Sequence, residues 1–89
     1  MKSMFVKTVH IRSFTPQTAV PLVHLASQYV SDIYLHYQNR HVNVKSIMGV
    51  LALGSPNGEM TLTAKGIDEY EAIKAIGAAL EQAETRPAS

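Results

Sequence analysis

The sequence predicts an α+β fold in which a four-stranded, mostly antiparallel sheet carries three helices on one face. Four segments alternate apolar and polar residues with the period of two that strands show, and three others space apolar residues three or four apart, as helices do. These segments follow one another in the order β-α-β-β-α-β-α. A two-layer arrangement buries all of their apolar stripes at once, which is why we favour it.

Two of the strands are predicted from alternation alone. The first covers residues 5–11, where the apolar set is Phe5, Val9 and Ile11. Lys7 interrupts the apolar face of this strand. The last predicted strand places Met60, Leu62 and Ala64 on one face and threonines on the other.

The start of the first helix is open to two interpretations because Pro21 lacks a backbone N–H. Its apolar stripe consists of Ala19, Leu22, Val23 and Ala26. With Thr15 as the N-cap, Pro21 lies past the first turn and removes a hydrogen bond. With Thr18 as the N-cap, Pro21 lies in the first turn, where the loss costs little. We favour the late start or a kinked first turn.

Between the first and second helices, a hairpin is predicted around a two-residue turn, Gln38-Asn39. The turn pairs Tyr37 with Arg40, His36 with His41, Leu35 with Val42 and Ile33 with Val44. The apolar residues of these pairs then share a face, as a correct register requires. Asn39 tolerates the left-handed backbone of such a turn, whereas Gln38 is poorly suited to it.

The two remaining helices are predicted from their starts. Ser46 is a favoured N-cap residue for a short helix that ends near Leu53. Asp68, with Glu71 three residues later, is typical of a capping box before the last helix. The apolar stripe of that helix consists of Ala72, Ile73, Ile76, Ala79 and Leu80.

Length and composition limit what such a chain can be. Its 89 residues make one domain, expected over residues 1–84, followed by a disordered polar tail at residues 85–89. A net charge of +1 lacks the basic excess of proteins that bind nucleic acids directly. Without a signal peptide or an apolar run long enough for a membrane, the expected location is the cytoplasm. The absence of cysteine excludes disulfides and cysteine-ligated zinc.

The segment Val42–Val50, VNVKSIMGV, resembles the regulatory-serine segment of HPr, the phosphocarrier of the bacterial sugar phosphotransferase system. Residues 22–29 resemble the first helix of that family, and residues 58–62 resemble its return into the last strand. The resemblance extends over about residues 4–84. It implies the HPr-like open-faced β-sandwich, which agrees with the elements predicted above.

The resemblance fails at the active site, which reads His-Ala-Arg-Pro in the family. Here the stretch reads Thr15-Pro16-Gln17-Thr18, so Thr15 replaces the phosphorylatable histidine and Gln17 replaces the arginine. An imidazole forms a labile P–N bond suited to transfer, whereas a threonine forms a stable ester. Gln17 has no charge for the phosphate oxygens. We therefore expect no phosphohistidine transfer, no catalysis and no cofactor.

None of the four histidines is an obvious substitute for the family histidine. His10, His24, His36 and His41 lie away from predicted helix N-termini and are expected to be partly exposed polar residues. His36 and His41 face each other across the hairpin and could begin a metal site. Zinc takes three or four protein ligands, so we expect a surface pair that repels when protonated, and no metal site.

Ser46 matches the family's regulatory serine. In Gram-positive relatives an ATP-dependent kinase/phosphorylase phosphorylates this serine, and the product is a corepressor for a lac-repressor-type transcription factor in carbon catabolite repression. The resemblance implies these two partners, whereas the net charge and the lack of a long apolar run argue against direct nucleic-acid binding and against a membrane. A phosphate at an N-cap, with a charge of about −1.5 to −2, suits the positive end of a helix, and Lys45 adds a nearby cation.

Ile47, Met48 and Leu51 are expected to form an exposed apolar patch beside Ser46, because a two-turn helix cannot bury every side. Together with Lys45 they are the expected partner-binding residues. In the family this patch docks the kinase and the repressor, but the arginine replaced by Gln17 also contributes to the repressor interface. Three functions therefore stay open. The chain is a regulator phosphorylated at Ser46, an adaptor or decoy without phosphorylation, or, least favoured, a phosphocarrier that uses another histidine.

Overall fold

The computed structural model describes residues 4–11, 14–54 and 56–82. Its seven elements are β1 (Phe5–Ile11), α1 (Pro16–Ala26), β2 (Asp32–Tyr37), β3 (Arg40–Asn43), α2 (Ile47–Leu51), β4 (Gly58–Lys65) and α3 (Glu69–Gln82). Their order confirms the predicted α+β fold. The predicted domain end at residue 84 and the predicted tail lie outside the described residues.

The four strands form one sheet in the order β1-β4-β2-β3, and every pairing is antiparallel. The predicted hairpin register is confirmed, since Tyr37 pairs with Arg40 and His36 with His41. Val44 follows the end of β3, and its N–H donates to the carbonyl of Ile33 at 2.9 Å. The strand register therefore keeps the apolar residues on the helix-bearing face.

The turn between β2 and β3 contradicts one expectation. Gln38, rather than Asn39, has the positive φ, at 58°. Two-residue hairpin turns of the II′ type require a positive φ at the first central position only. The hairpin register puts Gln38 at that position despite the cost for a residue with a Cβ.

The helices pack on one face of the sheet and bury a single core. Its fully buried residues include Val9, Ile11, Ala19, Ile33, Val44, Val50, Leu62, Ala72 and Ile76. Lys7, which interrupts the apolar face of β1, extends over α3 at Gly77. A Cβ on Gly77 would lie 2.9 Å from Lys7 Cε and 3.0 Å from Cδ. The glycine therefore leaves space for the aliphatic part of the lysine, and a lysine is accommodated on the packed face.

The first helix begins early, so the favoured late start at Thr18 is wrong. Thr15 is the N-cap residue, with φ −126° and ψ 163°, and Pro16 occupies the first turn. The Thr15 carbonyl accepts both the Thr18 N–H, at 2.9 Å, and the Thr18 hydroxyl, at 2.7 Å. Proline is well suited to the first helical position, and this preference prevails over the hydrogen bond that Pro21 removes later.

The capping box predicted before α3 is also wrong. The Asp68 carboxylate turns away from its own helix and accepts hydrogen bonds from the backbone N–H groups of Val30 and Ser31, each at 3.0 Å. Glu69, instead of Glu71, bonds back along the chain: its Oε1 accepts the Gly66 N–H at 2.9 Å. A tertiary contact thus replaces the local one, because Asp68 lies against the start of β2.

Candidate functional site

Ser46 lies at the N-cap of α2, as predicted. Its backbone is extended, with φ −103° and ψ 114°, and its Oγ accepts the Gly49 N–H at 3.2 Å. The preceding turn is also bonded, since the Ser46 N–H donates to the Asn43 carbonyl and the Lys45 N–H to Asn43 Oδ1, both at 2.9 Å. The hydroxyl is therefore held at a defined place while the residue stays partly exposed.

The C-terminal end of α2 accepts a hydrogen bond from a side chain of the sheet. Arg40 Nη2 donates to the carbonyl of Ala52 at 3.0 Å, which supplies a cation at the negative end of the short helix. A five-residue helix has little stability of its own. The cap at Ser46 and the bond from Arg40 together hold the segment that carries the apolar side chains.

The predicted apolar patch is exposed at two of its three residues. Met48 is 77% exposed and Leu51 is 42% exposed, whereas Ile47 is half-buried and packs against the core. The expectation that all three lie open is therefore wrong for Ile47. This residue begins α2 and is one of the side chains lining the groove between α2 and α1.

The first helix extends this surface with a residue that the sequence pattern does not single out. Val20, 60% exposed, is apolar but lies off the buried stripe of α1, and this mismatch was the available signal. A shallow groove of about 430 Å³ separates the helices, lined by Val20, Val23, His24, Ser27, Gln28 and Ile47. We use the name docking surface for Val20, Ile47, Met48 and Leu51.

Thr15 and Gln17 lie at the start of α1, and both are exposed. The Thr15 side chain makes no capping hydrogen bond, and the first turn of α1 holds no acidic residue. Gln17 borders a cavity of about 350 Å³ between α1 and α3, together with Phe14, Thr18, Pro21, Leu22, Leu25, Ala79 and Leu80. The cavity is mostly apolar, and none of the described residues that line it carries an imidazole or a guanidinium.

The four histidines are all exposed, as expected. The rings of His36 and His41 lie 5.8 Å apart between centroids, and His36 Nε2 is 3.3 Å from Thr63 Oγ1. Within residues 4–11, 14–54 and 56–82, no three or more histidine or acidic side chains cluster closely enough to hold a metal together.

Sequence comparison now identifies the family. A family model described as the PTS HPr component phosphorylation site matches residues 14–82. The chain belongs to the PTS-HPr family. This confirms the resemblance read from Val42–Val50, and the fold described above is that of HPr.

Solved structures of HPr proteins agree closely with this HPr-family chain. HPr from Thermoanaerobacter tengcongensis is 36% identical with a TM-score of 0.82, and the match covers 93% of this chain and 98% of that one. The phosphocarrier protein HPr from Bacillus anthracis str. Ames is 29% identical with a TM-score of 0.80, covering 88% and 98%. Relatives of this chain thus include phosphocarriers.

Another similar structure is Crh, the catabolite repression protein of Bacillus subtilis, described as a swapped dimer. It is 33% identical with a TM-score of 0.72, and the match covers 81% of this HPr-family chain and 84% of Crh. Both carriers and a catabolite repression protein are therefore among its structural neighbours. No helix in the described part of the chain is long and apolar enough to cross a membrane.

Proposed function

We propose that this HPr-family chain is a non-catalytic regulatory protein. In this proposal Ser46 is phosphorylated by a serine kinase of the HPr kinase/phosphorylase type, and the docking surface binds proteins in carbon catabolite regulation. One observation carries the proposal: the partly exposed Ser46 lies beside exposed apolar side chains at α2, while Thr15 and Gln17 occupy the carrier position.

The start of α1 argues against the carrier role. A carrier must accept a phosphoryl group and release it with similar ease, and a threonine ester at Thr15 would retain it. Gln17 offers no charge-assisted hydrogen bond to the phosphate oxygens. Pro16 also removes a backbone N–H from the helix end that would receive the anion.

The surroundings of Ser46 favour a phosphate. The first turn of α2 contains no acidic residue, so an added charge of about −1.5 to −2 meets no like charge there. The Gly49 N–H already donates to Ser46 Oγ, and the preceding residue is Lys45. Phosphorylation is therefore compatible with the fold and adds negative charge beside the apolar side chains of the docking surface.

The docking surface supports protein partners. Met48 and Leu51 are exposed, and Val20 extends the apolar area across the groove. Exposed apolar groups of this kind mark protein contacts, and methionine adapts to partners of different shape. We propose the serine kinase as one partner and a lac-repressor-type transcription factor as a second, with Gln17 weakening the second relative to HPr.

The test uses two phosphorylation reactions and three proteins. The chain and its Ser46→Ala and Ser46→Asn variants are incubated with an HPr-type serine kinase and ATP, and separately with the phosphoenolpyruvate-driven phosphoryl donor. Intact mass and acid stability of the product are then measured. Asparagine is a good N-cap, so Ser46→Asn keeps α2 capped but cannot form the ester, whereas Ser46→Ala costs about 1 kcal/mol.

We expect an acid-stable phosphate on the unmodified chain with the kinase, and on neither variant. Absence of any adduct in both reactions would support the adaptor or decoy without phosphorylation. An acid-labile adduct from the phosphoenolpyruvate-driven donor would overturn the proposal and indicate a carrier that uses another histidine.

A further inference from the structure

The face of the sheet opposite the helices carries an aromatic and imidazole cluster that the proposed function does not use. A broad, shallow depression of about 660 Å³ lies there, lined by Met4, Val6, Tyr34, His36, His41, Thr61 and Thr63. The Tyr34 and His41 rings lie 6.0 Å apart. Both histidines are exposed, so their rings are free to reorient toward a ligand.

The pairing pattern places His36 and His41 at a position of the hairpin where opposing side chains lie close together. The Val44 N–H bonds to the Ile33 carbonyl, and hydrogen-bonded and non-hydrogen-bonded pairs alternate along an antiparallel ladder. Counting along the register makes His36 and His41 a non-hydrogen-bonded pair. Side chains at such pairs approach more closely, with Cβ atoms about 4.5–5.5 Å apart.

We propose that His36 and His41 bind one divalent transition-metal ion of the Cu²⁺ or Ni²⁺ type through one nitrogen each. Two imidazoles bound at a right angle, with metal–nitrogen distances of about 2.0 Å, have ring centroids roughly 4.5 Å apart. The observed separation is 5.8 Å. Small side-chain rotations of two exposed residues close this gap without moving the backbone.

Thr63 supplies a partner for the ring nitrogen that does not bind the metal. A metal-bound histidine donates its other ring N–H to an oxygen, which fixes its orientation. Thr63 Oγ1 lies 3.3 Å from His36 Nε2, on the neighbouring strand β4. Thr63 therefore orients His36 as a positioning residue and leaves Nδ1 for the ion.

The chemistry of a two-histidine site favours these ions over zinc. Structural zinc takes four protein ligands and catalytic zinc three, whereas the described residues supply two here. Cu²⁺ and Ni²⁺ accept two imidazoles in a square or tetragonal arrangement that water completes, and Cu²⁺ binds nitrogen ligands most tightly in its series. The proposal therefore differs from the sequence-based expectation of a surface pair without a metal.

The test is a titration of the full, untagged chain with CuCl₂ or NiCl₂ at about pH 7.5, where free imidazole is mostly neutral. Calorimetry gives the stoichiometry and affinity, and electron paramagnetic resonance of the Cu²⁺ complex counts the bound nitrogens. His36→Ala and His41→Ala each remove one proposed ligand. His10→Ala and His24→Ala remove exposed histidines elsewhere and are matched controls.

We expect one ion per chain with two imidazole nitrogens in the copper spectrum. Loss of a supporting contact alone weakens metal sites about 10–100-fold, so each ligand variant should bind at least about tenfold more weakly, with the controls unchanged. Circular dichroism checks that the variants stay folded. Equal binding by His41→Ala and the unmodified chain, or a spectrum with a single nitrogen, would overturn the site.

Discussion

The Asp68 carboxylate accepts hydrogen bonds from both the backbone N–H and the hydroxyl of Ser31, although 37 positions separate the two residues in sequence. Ser31 is fully buried just before β2, and Asp68 lies just before α3. The carboxylate also accepts the Val30 N–H at 3.0 Å. The Asp68 side chain thus links the segment just before β2 to the segment just before α3.

This contact makes stability depend on pH in the acid range. The Ser31 hydroxyl, followed by the backbone N–H groups of Val30 and Ser31, lowers the pKa of Asp68 below its ordinary value. A carboxyl whose pKa is lower in the folded state stabilises the protein fully above its unfolded pKa, about 4, and loses this contribution as the pH falls through the folded value.

We expect Asp68→Asn to lower the free energy of unfolding at neutral pH, with the difference from the unmodified chain shrinking below about pH 4. Urea unfolding from pH 7 to pH 2 measures both curves. Asp68→Ala should cost more than Asp68→Asn, because asparagine keeps one acceptor oxygen. A difference that does not change with pH would contradict the assigned role of the charge.

Gly66 approaches Ser31 so closely that a larger residue does not fit. A Cβ at Gly66 would lie 2.6 Å from Ser31 Cα, which is backbone and cannot swing away. We expect Gly66→Ala to destabilise the fold by about 2–4 kcal/mol in urea unfolding. Gly54→Ala is the control, because its Cβ meets nothing within 4 Å and only the φ of 71° is unfavourable, at about 1 kcal/mol. Equal losses would refute the close approach.

The hairpin turn can be improved at Gln38. Its φ of 58° is strained for a residue with a Cβ, and glycine removes the strain at some cost in unfolded-state entropy. We expect Gln38→Gly to stabilise the protein by about 0.5 kcal/mol, measured by thermal and urea unfolding. Asn39→Gly should bring no gain, since Asn39 has no positive φ. A gain at Asn39 alone would contradict the assigned turn.

Restoring the family residues at the start of α1 should restore phosphoryl acceptance. Thr15 is exposed and makes no capping bond, so histidine there disturbs little. We expect the double variant Thr15→His/Gln17→Arg to form an acid-labile phosphate with the phosphoenolpyruvate-driven donor, about tenfold or more faster than Thr15→His alone. Intact mass over time measures it. An unmodified chain that is phosphorylated as fast as the double variant would contradict the proposal that this chain is not a phosphocarrier.

Variants at two residues of α2 distinguish the role of the docking surface from that of the core. Met48 is largely exposed and Val50 fully buried. Met48→Ala should change stability by less than about 0.5 kcal/mol, whereas Val50→Ala should cost about 2 kcal/mol. The rate of Ser46 phosphorylation by the kinase should fall only in Met48→Ala, assayed where both variants are folded. An unchanged rate in Met48→Ala would show that this side chain does not contribute to kinase binding.

Sequence rules predicted a local feature correctly where one rule applied and no second rule opposed it. The turn length and the alternation together predicted the hairpin register, and residue type alone predicted the cap at Ser46. At α1, the preference of Pro16 for a first turn and the defect at Pro21 favour different starts, and the predicted late start gave Pro21 too much weight. The sequence thus predicted which segments form helices and strands more reliably than the residues at which they begin.

Contacts between distant segments could not be predicted. No sequence rule relates Asp68 to Ser31, and the capping-box spacing pointed to a local bond instead. The half-burial of Ile47 and the exposure of Val20 depend on how α1 and α2 pack, so their side-chain environments became visible only in the assembled fold.

The sheet order has a consequence for synthesis on the ribosome. Among the four described strands, β1 is synthesised before the others and lies at an edge of the sheet, where it pairs with β4, which follows more than half a chain length later. Until residues 58–65 emerge, β1 has no partner strand, and its Val9 and Ile11 have no sheet neighbour. Such distant pairing slows folding, so we expect the sheet to be completed only after β4 has left the ribosome.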